Sequence, residues 1–159
     1  MALKPDRDYN VVTDISHNWS ELDAQNTQEK GGVASSESAG SGVGLGQADQ
    51  VVQYAADPAN QIPMGVLLQD VNPPLSTERD YINLHNMEVR PGDPVTLVRK
   101  GWVVTDQIIG SAPSAGDTAY LAASGNISTA SGAGGVNPVV GRFETTQDSD
   151  GFARVYMDI

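Results

Sequence analysis

The chain has 159 residues, no cysteine, and 9 Lys+Arg set against 20 Asp+Glu, a formal net charge of −11 at pH 7. That length accommodates one domain with room for an extended arm, and the missing thiols exclude a disulfide scaffold and a thiolate metal site. The acidic field repels a phosphate backbone, which counts against nucleic-acid binding, and no run of about 18 apolar residues is available to cross a membrane.

Met1 to Asn10 carries charges without an apolar stretch, so it does not read as a secretory signal and points to a protein made in a cytoplasm. Leu, Ile, Val and Phe number 8 in the first 50 residues and 27 in the remaining 109. The first share lies below, and the second above, the level at which a charged chain folds on its own. Residues 1–50 therefore read as an arm and residues 51–159 as a β domain. Val11, Val12, Ile15 and Trp19 are the arm's candidate anchors before residue 33. A short helix is predicted from an N-cap at Ser20 to a stop at Gly31. The Gly, Ser and Ala text from Gly31 to Gly46 has the composition of a flexible or extended connector.

From Val51 the chain reads as short strands. One runs from Val51 to Ala55 and stops at Asp57-Pro58. Met64 to Val71 is a continuous apolar run between Pro63 and Pro73-Pro74, which predicts a strand buried on both faces. Tyr81 to Glu88 alternates as an amphipathic or edge strand.

Two stretches then repeat one plan 24 residues apart, Gly92-Asp93-Pro94-Val95-Thr96-Leu97 through Gly101 to Thr105, and Gly116-Asp117-Thr118-Ala119-Tyr120-Leu121 through Gly125 to Thr129. Each predicts a turn, an alternating strand, a tight reversal at Lys100-Gly101 or Ser124-Gly125, and a second short strand. Pro138 to Glu144 and Phe152 to Ile159 form the last pair. In the final strand Arg154, Tyr156 and Asp158 share one face and Val155, Met157 and Ile159 the other. Turns at this spacing with few helices predict an all-β fold, a small antiparallel barrel or sandwich.

Residues that carry chemistry are sparse. Nucleophilic catalysis needs a base beside the nucleophile, and His17 and His85 are the two histidines. The Gly40–Gly46 stretch lacks the register and the Lys-Ser/Thr of a phosphate loop. Asp148-Ser149-Asp150-Gly151 opens like a calcium loop but runs into a strand where the further oxygen ligands belong, so it reads as a hairpin turn. The sequence calls for no enzyme activity, no cofactor and no metal.

From about Pro63 onward the pattern resembles the capsid cement, or head decoration, proteins of tailed bacteriophages. The likeness lies in Pro63-Met64-Gly65-Val66-Leu67-Leu68-Gln69-Asp70-Val71, in the two Gly-Asp repeats with Lys100-Gly101-Trp102-Val103-Val104-Thr105, in Val140-Gly141-Arg142-Phe143 and in Asp150-Gly151-Phe152-Ala153-Arg154-Val155-Tyr156-Met157. The resemblance implies a small β-barrel or β-tulip module on the outer surface of an icosahedral head. It implies homotrimers at three-fold and quasi-three-fold positions that bridge neighbouring major capsid proteins, and an N-terminal arm lying across an adjacent subunit. On that reading Val11, Val12, Ile15 and Trp19 touch a neighbouring capsid or cement subunit. Trp102 then either covers the barrel end or anchors an interface, and residues 1–30 are dispensable for folding. The competing reading is a carbohydrate- or receptor-binding module of a tail or fibre, which needs a cluster of exposed aromatics.

Overall fold

The computed structural model describes residues 11–20, 28–36, 51–54, 56–59, 61–72 and 88–159. Their regular structure is eleven strands: β1 Val12–Trp19, β2 Val33–Ser36, β3 Val51–Gln53, β4 Pro63–Leu67, β5 Asp70–Val71, β6 Glu88–Val89, β7 Pro94–Thr105, β8 Thr118–Leu121, β9 Ile127–Ser128, β10 Val139–Phe143 and β11 Ala153–Asp158. Two short 3-10 turns, Ala123–Gly125 and Ala133–Gly135, are the only helical pieces among the described residues. The fold is all-β.

Nine strands form one sheet in the order β1-β3-β2-β4-β7-β11-β10-β8-β9, and an additional β1–β7 pairing closes the first five into a barrel. The barrel is mixed rather than wholly antiparallel, because β1 runs parallel to β3, with Asn18 opposite Val51 and Trp19 opposite Val52. A second parallel pair joins β5 to β6. Beyond β7 the sheet continues as four antiparallel strands outside the closed ring.

Two hydrophobic cores result. Trp19, Ala34, Val52, Tyr54, Leu67, Val95 and Leu97 come from all five barrel strands or their ends and fill the barrel, joined by Val71 and Val89. The second core lies between the outside of the barrel wall and the four-stranded extension. Val33, Val66, Val98 and Val103 meet Leu121, Ile127, Val140, Phe143, Val155 and Met157 there. Successive side chains on a strand point to opposite faces. Val33 and Ala34, Val66 and Leu67, and Leu97 and Val98 therefore each send one residue to each core. The prediction of a strand buried on both faces holds for Pro63–Leu67, though it ends earlier than expected and resumes as β5.

The structure corrects three expectations. Residues 12–19 and 33–36, assigned from composition to an arm and connector, are two of the five barrel strands, and β2 is buried along its whole length. Its residues Val33-Ala34-Ser35-Ser36 are small because both faces are covered. Average composition reads small residues as linker, while a strand wedged between two packed layers needs them for room. A deletion of residues 1–30 would therefore remove a strand of the closed ring. The second correction is at Lys100-Gly101, where no reversal occurs: β7 runs straight through for twelve residues. The third is the far end of the predicted helix, where Gln28 bridges Val71 instead. Residues 1–10, most of that helix, the Gly40–Gly46 stretch and Tyr81–Met87 with His85 lie outside the described residues.

The remaining hairpins stand as read. Ser124-Gly125 sits at the reversal between β8 and β9, with Leu121 opposite Ile127. β10 and β11 pair antiparallel across the Asp148 turn. There the Asp148 Oδ1 accepts from the Asp150 and Phe152 amides at 3.0 and 2.8 Å. That carboxylate oxygen is organising a turn.

Candidate interaction surface

β7 and β11 pair in unbroken register from Ala153↔Thr105 to Asp158↔Lys100. One face of this pair, with Val103, Val155 and Met157, goes into the second core. Alternation leaves Lys100, Trp102, Val104, Arg154, Tyr156 and Asp158 on the other face, toward solvent. Tyr156 stands opposite Trp102 on one side and Arg142 on the other, and Arg142 in turn faces Thr118. A row Trp102–Tyr156–Arg142–Thr118 thus crosses four strands.

Trp102 is the centre of this face. The Tyr156 ring meets it edge-on with centroids 5.1 Å apart, and the Arg154 guanidinium carbon lies 5.1 Å from its ring centroid. A cation over an indole face is a favourable contact. At the rim, Lys100 Nζ sits 2.9 Å from Asp158 Oδ1 and Arg142 Nη2 2.6 Å from Glu144 Oε1. Val12, 55% exposed, is in register with Lys100 on the opposite edge of β7 and extends the face by one strand. Val139, also exposed, stands opposite Tyr120 at the far side.

The residues singled out from sequence separate into four groups. Val12 and Trp102 come together on this outer face. Val11 is half-buried and packs against the second core. Trp19 is 1% exposed, in T-shaped contact with Tyr54 at 5.1 Å inside the barrel. It is spent on this chain's own core and is not available as an anchor for a neighbour. Tyr156, Arg154 and Arg142 were not singled out. The alternation of the last strand had already placed two of them on one face; the missing knowledge was that β7 lies beside it.

Ile15 stands apart, 72% exposed, on a β-bulge. Asp14 pairs with Leu97 and His17 with Val95, so Ile15 and Ser16 face the single residue Thr96. A compensating bulge on β7 sets Arg99 between the Val12↔Lys100 and Thr13↔Val98 pairs. Asp14 ties the two together. Its Oδ1 accepts from the Ser16 amide at 2.8 Å and the Ser16 hydroxyl at 2.6 Å, and its Oδ2 lies 3.4 Å from Arg99 Nη1 and 3.5 Å from His17 Nδ1. The Ser16 hydroxyl and amide, aided by His17 and Arg99, hold the Asp14 carboxyl below the usual carboxylate range despite some desolvation. Asp, Ser and His meet here without forming a triad. Ser16 gives its proton to Asp14, and both it and Asp14 approach the same ring nitrogen of His17, whereas a triad needs the base oriented through one nitrogen and the nucleophile at the other. Among the described residues no three His, Asp or Glu are placed to hold a metal ion.

The comparisons with known proteins bear on this surface and the barrel together. A family profile described as structural cement protein (E217 gp24/Pam3 gp6) matches residues 12–158, from the first strand of the barrel to the end of β11. The chain belongs to the phage structural cement protein family. It is thus a structural component of a phage capsid and not an enzyme. The match begins at β1, in keeping with that strand being part of the fold. A solved structure described as the capsid of Myoviridae phage XM1 contains a chain of similar fold. That likeness has a TM-score of 0.56 at 11% identity and covers 99% of this cement protein and 92% of that chain. At such identity it is a likeness of fold. No curated protein matches by sequence.

Proposed function

We propose that this cement protein sits on the outer surface of the icosahedral head and joins neighbouring major capsid protein subunits, as a homotrimer at three-fold and quasi-three-fold positions. The bond it adds across those seams resists the outward pressure of packed DNA. The family match over the whole barrel carries the reading. Physical support comes from the way the chain is built. The closed ring removes free strand edges from the barrel, and two cores sharing one wall make a stiff body. Exposed Val12 and Ile15, with half-buried Trp102, offer apolar contact. Many modest contacts repeated around a shell sum to strong attachment through avidity.

The carbohydrate-binding alternative is less well served. Trp102 and Tyr156 do form a half-buried aromatic pair on the outer face, but Arg154 lies over one face of the indole and Tyr156 meets it edge-on. A sugar ring stacks on an open aromatic face, which this arrangement does not provide on that side.

Imaging heads assembled with and without the protein tests the proposal. Added density on the exterior at local three-fold axes is the expected result, together with retention of DNA to a higher temperature in decorated heads. Density confined to the tail, or equal heat stability of both heads, would overturn it.

A further inference from the structure

The outer face of β7, β11 and β10 carries Lys100, Arg142 and Arg154, set against Asp158 and, one residue past β10, Glu144. Lys100, Arg142 and Arg154 against Asp158 and Glu144 leave this face at +1 in a chain whose net charge is −11, and its centre, Trp102 with Tyr156 and Arg154, is made of the three residue types that dominate binding energy at protein interfaces.

We propose that this outer face of β7–β11–β10 is the surface with which the protein docks on the capsid, and that the capsid surface it meets is acidic, with carboxylates around an apolar patch that covers Val12 and the accessible part of Trp102. The inference rests on the capsid-binding reading and adds the docking face and the chemistry of its partner. An acidic partner is repelled by the body of a −11 chain and attracted at this face, so electrostatics select one orientation of approach. The rim pairs are suited to exchange. Lys100–Asp158 and Arg142–Glu144 each have at least one side chain more than half exposed, and exposed ion pairs add little to stability. A partner carboxylate can take over such a cation at little cost. Guanidinium groups present a planar fork that receives a carboxylate through two N–H donors. The apolar centre is held in place beforehand, since Trp102 is fixed between Tyr156 and Arg154, which lowers the ordering cost of docking.

The test measures binding of purified protein to heads assembled without it, across a range of salt. The double variant Lys100→Gln/Arg142→Gln removes two exposed cations and leaves both cores untouched. Trp102→Ser removes the anchor, and Ile62→Ser alters an exposed apolar residue away from this face. Melting of each variant confirms that it is folded. The expected result is at least about tenfold weaker binding for the double variant with a flatter salt dependence, a similar loss for Trp102→Ser, and wild-type binding for Ile62→Ser. Folded variants at wild-type affinity on heads that bind the wild type would overturn the docking face while leaving the capsid reading intact. A wild type that binds no heads would remove both. Binding to a fluorescent DNA duplex that is lost in the double variant would show a phosphate-reading face and overturn the acidic-protein partner.

Discussion

The two Gly-Asp repeats begin alike and end differently. In each, a glycine with positive φ, Gly92 at 91° and Gly116 at 97°, closes a turn in which the following Asp amide bonds back three residues, to Arg90 or Ser114. Each of these glycine amides also donates to a neighbouring strand, to Trp19 or Phe143. Past the shared leucine, Leu97 or Leu121, they diverge. The first copy continues as one extended strand through Gly101, at φ 125°, and the second reverses at Ser124 and Gly125, at φ 57° and 74°. The difference lies in the neighbours. Val98 has Thr13 on one side and Val66 on the other, and Lys100 has Val12 and Asp158. Beyond Leu121 the adjacent strand β10 offers nothing, and the chain folds back to pair with itself. Two matching local texts take the shape that their surroundings permit, as strand preferences generally do.

Substitutions at matched positions can break or sharpen this contrast. Leu97 faces the barrel core and Leu121 the second core, and both are fully buried. Leu97→Ala and Leu121→Ala should each cost about 2–5 kcal/mol in chemical denaturation. The transition should remain single in both, and two separate transitions would show that the repeats belong to independently stable layers. Gly125→Ala comes next. A Cβ there would lie 2.7 Å from the Tyr54 ring at a φ of 74°, so a loss of about 2–4 kcal/mol is expected from strain and overpacking combined.

The sharpest comparison is glycine at the two equivalent positions before the repeat glycine. Ser124 already occupies left-handed backbone, so Ser124→Gly should stabilise by about 0.5–1 kcal/mol. Lys100 lies within a strand paired on both edges, where Lys100→Gly should destabilise by about 0.5–1 kcal/mol. Opposite signs in paired melting curves are the expected outcome, and equal signs would mean that the conformations of the two copies do not control their stability.

The smallest effect is at the Asp14 bulge. Its carboxyl titrates below the usual value in the folded chain, so the stability it adds is present at neutral pH. That contribution fades as pH falls below the ordinary Asp value near 4 and through the lowered one. Asp14→Asn should flatten the acid limb of a stability-versus-pH curve and leave its shape above pH 6 unchanged.

Much of the extension was legible in the chain. Alternation in Ala153–Asp158 gave the inward and outward faces of β11, and the Asp148 turn gave its partner. The barrel was less legible for a physical reason. β2 is four small residues and β3 three, and their burial comes from layers supplied by distant parts of the sequence. Trp19 illustrates the same limit: a lone aromatic in polar text resembles an external anchor until Tyr54 and Val52 are found beside it. The docking face combined both situations. Trp102 was conspicuous, and the final strand's alternation was clear, but only the β7–β11 register joins them.

Leu97 and Val98 stand back to back in one strand and face different cores, so β7 cannot loosen toward either without emptying both. Amide hydrogens of Leu97, Val98 and Val103 should therefore exchange only when the whole chain opens, at the free energy of global unfolding. The loop from Gly110 to Ala115, exposed except at Pro113, should exchange through local fluctuation. A protein with that exchange profile has no half-open intermediate to populate under load. Each copy on a shell would hold its shape until it lets go of it completely.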